Sequence, residues 1–188
     1  MPLLFDEKLQ KIVTTESADI IKLFGGAFDA FAKNPDVDLA PKGLATAMEE
    51  MDAIIYPGIN DGVYRCGFAR SQEAYDFAYE AHWKAMDLIE ERLGRSRYLC
   101  GDVLTLSDVR LFTTLVRYDV VYYSHFKTSR NRLRDMPNLH RFAKDVYALP
   151  GVAETCDIAA IKGHYFGSHP MLNPSGVVPK GPEFDLAG

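Results

Sequence analysis

Thr105-Leu106-Ser107-Asp108 is the strongest local signal in this chain. A threonine followed three residues later by an acid has the pattern of a capping box. In it, two side chains satisfy backbone N–H groups that a helix start leaves unpaired. Leu104 and Val109 fall at the staple positions just before and just inside that helix. The spacing therefore predicts a helix from about residue 106, with a core face running through Phe112 and Val116.

The pattern around it is almost wholly helical from about residue 42 onward. Leu44, Met48, Met51 and Ile55 make one stripe, expected to end near Pro57-Gly58. Ala74, Ala78, Ala81, Ala85, Leu88 and Ile89 make a longer one, with Ser71 as cap and Gly94 as stop. Its small alanines let a neighbouring helix come close. Pro137 opens a further helix through Leu139, Phe142, Ala143 and Val146, closed by Leu149-Pro150-Gly151. A last helix is expected to run to about Gly163, followed by an irregular tail rich in Gly, Pro and Asn.

The first 33 residues differ. Leu3-Leu4-Phe5 and Lys11-Ile12-Val13 read as two short strands of an antiparallel hairpin. A helix capped by Ser17 follows, carrying Ile20, Ile21, Phe24, Phe28 and Phe31. Two strands and one helix cannot cover both faces of a sheet. Something further is expected to pack there, from elsewhere or from another chain. Asn34 to Pro41, with two prolines and two acids among its eight residues, is the linker. The expected domains are thus 1–33, a linker at 34–41, and a helical domain at 42–188.

Composition narrows the function classes. With 25% charged residues, 11 Phe and 10 Tyr, the 188-residue chain is not a disordered one. Its net charge of -5 weighs against broad nucleic-acid binding, because phosphate repels an acidic surface. No apolar run approaches the ~20 residues of a membrane span. The start, Met1 to Asp6, has no basic stretch and no long apolar core, so it does not read as a signal peptide. Three cysteines, an odd number, are expected to be reduced, which points to a cytoplasmic protein.

A hairpin, a Glu-Ser step opening a helix, a proline-containing linker and a bundle with a buried capping box resemble the glutathione transferase superfamily. Ile59 to Ala69, Thr105 to Asp119, Leu149 to Thr155 and His164 to Pro170 look more narrowly like the glutathionyl-hydroquinone reductases, the Xi or omega-like class. The resemblance extends from residue 1 to about Pro182. It implies a mainly α fold, a glutathione-transferase C-terminal helical bundle preceded by a partial thioredoxin-like β-β-α unit. It also implies that the nucleophilic cysteine, which that family carries in a Cys-Pro-Trp loop, has no counterpart here. Met1 would fall just before the family's cis-proline, and Pro2 would be that proline.

The implied reaction removes glutathione from a glutathionyl-hydroquinone. A thiolate attacks the thioether sulfur, the ring leaves and gains a proton, and a second glutathione resolves the mixed disulfide. By resemblance, Tyr64 would be the proton donor and acceptor. Tyr122 and Tyr165 would steady the thiolate and hold the quinol oxygens. On residue type alone, each reads as an ordinary half-buried core tyrosine. Glutathione would be the co-substrate, held by Met1 through its main chain and by Glu16 and Ser17. Glu16 would pair with the γ-glutamyl ammonium, and Ser17 sits where a helix N-terminus favours a carboxylate. Without the resemblance, Ser17 reads simply as a cap.

Other constellations are weaker. Cys66, Cys100 and Cys156 read as small buried thiols, although Cys66 lies close to Tyr64 in sequence. His164 and His169 lack a third ligand at metal spacing, so no metal is expected. Lys127, Arg130, Arg132 and Arg134 read as a solvated basic loop. The implied partners are glutathione and aromatic quinol conjugates, with a homodimer by resemblance and neither nucleic acid nor membrane. The alternative is a non-catalytic transferase-like helical module acting in protein–protein association, with the Leu3-Leu4-Phe5 strand as an edge seeking a partner.

Overall fold

A computed structural model describes residues 2–187. The chain divides into two compact units, one ending at Ala45 and one beginning at Thr46. Met1, and with it the expected Met1-Pro2 bond and glutathione contact, lies outside the described residues.

In the first unit β1 (Leu4–Asp6) pairs antiparallel with β2 (Lys11–Thr14), with an irregularity between Leu4 and Phe5. The connecting turn closes when the Asp6 carboxylate accepts the Leu9 N–H at 2.8 Å, and Gln10 takes the left-handed region at φ 51°. The helix α1 (Ser17–Phe24) follows, but its cap position is Glu16 rather than Ser17. Neither side chain of that pair makes a capping bond. Thr14 serves the turn instead, since its hydroxyl accepts from the Glu16 N–H at 3.1 Å and donates to Asp19 at 3.4 Å.

In the second unit α2 (Ala45–Ile55) does not stop at Pro57-Gly58. The chain runs on through a wide π turn at Tyr56–Asn60 into α3 (Gly62–Gly67). Proline lacks the N–H that an α turn needs and crowds the preceding carbonyls. Widening the turn removes the conflict, so that the Asp61 N–H reaches back five residues to the Tyr56 carbonyl at 2.8 Å. The long α4 (Gln72–Leu93) begins as expected, with Ser71 accepting the Ala74 N–H at 3.1 Å, and ends at Gly94. Ala78 and Ala85 are buried while Ala74 and Ala81 face out. The close approach is real at Gly58, where an added Cβ would lie 2.4 Å from the Ala85 Cβ.

The capping box forms at the head of α5 (Leu106–Arg117). Its carboxylate is fully buried. Asp108 accepts from the backbone N–H of Leu99 and of Thr105 and from the Thr105 hydroxyl, all at 2.8 Å. A second π turn, Tyr118–Tyr122, follows α5 and leads into the short α6 (Tyr123–His125). The helix α7 (Pro137–Tyr147) opens on its proline. Its N-terminus is capped from a neighbour: the Glu90 carboxylate of α4 accepts the Asn138 and Leu139 N–H groups at 2.9 and 2.8 Å. The last helix, α8 (Ile158–Ser168), runs past the expected stop at Gly163 and buries Tyr165 and Phe166. Gly163 and Gly167 are exposed and have open space where a Cβ would stand, so nothing at either forces a break.

Among the described residues α3 and α7 pack on α4, α5 packs on α7, and α8 packs on the second π turn. The core between them contains Trp83, Met86, Ile89, Leu111, Leu115, Phe126, Leu139 and Phe142. The fold is mainly α, with a short two-stranded sheet ahead of a helical bundle. No helix among the described residues is long and apolar enough to cross a membrane.

Candidate functional site

Both π turns lie next to the tyrosines singled out from sequence. Tyr64 sits in α3, directly after the first turn, and Tyr122 is the last residue of the second. A buried histidine ties the two turns together. The His82 ring lies 2.8 Å from the Gly58 carbonyl through Nδ1 and 2.8 Å from the Tyr118 hydroxyl through Nε2. A carbonyl can only accept, so Nδ1 carries the proton and Nε2 accepts from the Tyr118 O–H. Burial pushes His82 down to about 4, which keeps this neutral tautomer in place at physiological pH. The Gly58 carbonyl partly counteracts burial, while Arg130 adds to it.

The three hydroxyls converge. Tyr165 Oη lies 2.5 Å from Tyr64 Oη and 2.8 Å from Tyr122 Oη, while Tyr64 and Tyr122 are 3.5 Å apart. Tyr122 and Tyr165 are 2% and 8% exposed, and Tyr64 is half-buried. Their rings pack around Phe126, whose centroid lies 5.1 Å from Tyr64, 5.4 Å from Tyr122 and 5.9 Å from Tyr165. Gly67 admits that ring, because an added Cβ would stand 2.3 Å from Phe126 Cδ1.

Burial raises the Tyr122 phenol, and its bonds to Tyr165 and Tyr64 raise it further. Burial likewise pushes Tyr165 up to about 12, against a lowering bond from Tyr122. Both phenols are therefore protonated at neutral pH. Each hydroxyl has one proton to donate. Two short contacts among three hydroxyls consume two protons, and the third O–H has only the long 3.5 Å contact between Tyr64 and Tyr122 within the cluster, so it can turn to a group outside. Such a site suits an oxygen or a thiolate that needs a hydrogen-bond donor, or a carbon that needs a proton.

Glu16 and Ser17 belong to the N-terminal unit, at the head of α1. Cys66 and Cys100 are buried, and burial pushes Cys66 up to about 11 and raises Cys100 as well. Neither is a thiolate at neutral pH. Cys156 is only partly buried. Among the described residues, no three His, Cys, Asp or Glu side chains gather as a metal site would require. The basic run is not simply solvated, since Arg130 lies 4.0 Å above the Trp83 ring and pairs with Asp87. Sequence reading missed His82, Phe126 and His125. For His82 a signal was available, because it falls on the Ala78–Ala85 face of α4, where a polar side chain needs an internal partner.

Comparison with known proteins finds relatives along the whole chain. Residues 72–145 match the family described as glutathione S-transferase, C-terminal domain. The chain is 46% identical over 186 residues to the glutathionyl-hydroquinone reductase YqjG of Escherichia coli (strain K12), covering 99% of this chain and 56% of that protein. It is 40% identical over 188 residues to the glutathionyl-hydroquinone reductase PcpF of Sphingobium chlorophenolicum, covering 100% of this chain and 60% of that protein. The glutathione-bound structure of YqjG superposes with a TM-score of 0.95, covering all of this chain and 61% of its own. The chain thus spans between 56% and 61% of the length of these relatives.

Proposed function

Because the chain belongs with the Xi-class, omega-like glutathione transferases that include the glutathionyl-hydroquinone reductases, we propose that it serves the glutathione-dependent reductive deglutathionylation of glutathionyl-hydroquinones. The observation that carries this reading is the convergence of the Tyr64, Tyr122 and Tyr165 hydroxyls from three separate segments.

In the proposed reaction a thiolate attacks the thioether sulfur of the conjugate. The carbon–sulfur bond breaks, and its electron pair stays on the ring carbon. Tyr64, the least buried of the three, delivers the proton to that carbon, and the hydroquinone leaves. A second glutathione then returns its thiol proton to Tyr64, and its thiolate cleaves the enzyme–glutathione disulfide, which restores the attacking thiolate and releases glutathione disulfide. Tyr122 and Tyr165, held protonated by burial, exchange their bonds within the cluster for bonds to the quinol oxygens and the thiolate when the conjugate enters. Cys66 and Cys100 are poor candidates for the attacking group, because burial keeps them as thiols. We assign the attack to a thiolate outside this sequence. In this reading Glu16 and Ser17 of the N-terminal unit take the γ-glutamyl group of glutathione, with the start of α1 offering N–H donors.

Calorimetric titration with a glutathionyl-hydroquinone tests the reading. The expected result is saturable binding that Tyr165→Phe weakens about 10-fold, the loss of one hydrogen bond in a buried site. No heat at millimolar conjugate, with the fold intact, would leave a helical association module as the better description.

A further inference from the structure

The helical unit holds an apolar cavity apart from the tyrosine cluster. It measures about 260 Å³ and lies between α5, the end of α7 and the start of α8. Phe112, Val116 and Val146 line it and are buried, so they form its floor. Val109, Val152 and Ile161 are half-buried and form its walls, while Thr113 and Thr155 are exposed and stand at its mouth. None of Tyr64, Tyr122 and Tyr165 lines it, although Ile161 and Tyr165 are one turn apart on α8. The proposed reaction makes no use of this space.

The polar groups around the cavity bond back into the chain. The Thr113 hydroxyl donates to the Arg110 carbonyl at 2.8 Å, and the Thr155 hydroxyl donates to the Val152 carbonyl at 2.7 Å. The Cys156 thiol, also in the lining, donates to the same Val152 carbonyl at 3.4 Å. Arg117 spends one guanidinium N–H on the Thr113 carbonyl. The floor itself carries no polar side-chain atom. A water held in a cavity needs two to four polar partners, and this floor offers none. Water there is weakly held, so an apolar occupant gains by displacing it. Size narrows the occupant further. A cavity of about 150 Å³ takes one benzene ring, and sites for drug-sized molecules begin at roughly 300 Å³.

We propose that this cavity is a binding site for a small uncharged apolar ring compound, one substituted ring or two fused rings. It is chemically the opposite of the tyrosine cluster. A hydroquinone has two hydroxyls, which it would have to bury against Phe112 and the valines with no partner, at a cost of about 1–3 kcal/mol for each. The hydrocarbon ring pays no such penalty. The two sites therefore select different molecules, and the proposal does not depend on the function assigned to the cluster.

The test uses the full chain with carbon-13 in the methyl groups of valine, leucine and isoleucine, titrated with naphthalene and, separately, with hydroquinone. Naphthalene is expected to give saturable shifts at the methyls of Val109, Val116, Val146, Val152 and Ile161, and hydroquinone at the same concentration none. Val152→Phe, which fills the space from a half-buried position, should weaken naphthalene binding at least 10-fold. Ile161→Phe does the same from α8, and thermal melts identify which of the two variants is folded. Absence of saturable shifts up to the solubility limit of naphthalene would overturn the proposal. So would shifts at these methyls that a folded, filled variant leaves undiminished, or equal shifts with hydroquinone. Shifts of the same methyls on raising the protein concentration alone would mean that a second copy fills the cavity, and would overturn it as well. All spectra are recorded without glutathione or its conjugates, so failure here leaves the reading of the tyrosine cluster untouched.

Discussion

Replacing Asp108 with alanine isolates the stability of the capping box from the chemistry of the site. The carboxylate is fully buried and accepts three hydrogen bonds at 2.8 Å, from the N–H of Leu99, the N–H of Thr105 and the Thr105 hydroxyl. The hydroxyl can rotate toward another acceptor, but the two backbone donors cannot. An unsatisfied buried donor costs about 1–3 kcal/mol. Burial of the carboxylate carries its own penalty, which is why the Asp108 pKa is raised, chiefly by desolvation and against the pull of its hydrogen bonds. Removing the charge recovers part of that penalty. The net loss is therefore about 3 kcal/mol, in the lower half of the roughly 2–6 kcal/mol that two orphaned groups would cost. For a chain of this length that lowers Tm by roughly 6–12 °C. Asp108→Asn keeps one carbonyl oxygen and should fall between wild type and alanine. Asp102→Ala, at an exposed position nearby, should stay within about 0.5 kcal/mol of wild type. Thermal melts followed by circular dichroism give the answer. If Asp108→Ala melts within about 2 °C of wild type, the box does not organise the head of α5 as described.

Three further outcomes follow from buried groups. His82 is held at about 4 against an ordinary 6.5, a gap of 2.5 units, so the unfolded chain binds the extra proton between those values. Its contribution is complete above pH 6.5 and is lost as pH falls through the window toward 4. It amounts to about 3 kcal/mol and is visible as a urea-stability slope that His82→Gln flattens; equal slopes in the two proteins would contradict the neutral tautomer. Gly67→Ala should cost about 1–3 kcal/mol by overpacking against Phe126, read as a lower urea midpoint, because the new Cβ would meet that ring at 2.3 Å. With iodoacetamide at pH 7.5, mass spectrometry should find Cys156 labelled first and Cys66 last, since burial pushes the latter up to about 11; rapid labelling of Cys66 would mean that its thiol is less buried than described.

What the sequence revealed about this molecule was local. The starts of α4 at Ser71 and of α5 at Thr105 depend on side chains within a turn of the residue they serve, α7 opens on its own proline, and all three appear where their spacing put them. The end of α2 did not. Pro57 reads as a stop because an α turn cannot hold it, but the chain had a second solution, a π turn whose wider spacing needs no N–H at that position. The Gly163 stop failed for a related reason: a glycine on the exposed side of a helix is a weak brake when Tyr165 and Phe166 gain burial by continuing. At the candidate site, the tyrosines were legible through a resemblance spread over three segments. Their supports were not. His82 and His125 act through contacts 24 to 44 residues away in sequence, as in His82 to Gly58 or His125 to His169, Phe126 packs on Tyr64, 62 residues away, and no periodicity announces such contacts.

The central claim is that three phenols form one donor cluster shaped for a quinol conjugate of glutathione. A crystal structure of the chain soaked with a glutathionyl-hydroquinone tests it most directly. The account predicts a quinol oxygen within hydrogen-bond distance of Tyr122 or Tyr165, with the ring carbon bearing sulfur facing the Tyr64 hydroxyl. A conjugate seated elsewhere, with the three hydroxyls still bonded only to one another, would contradict it.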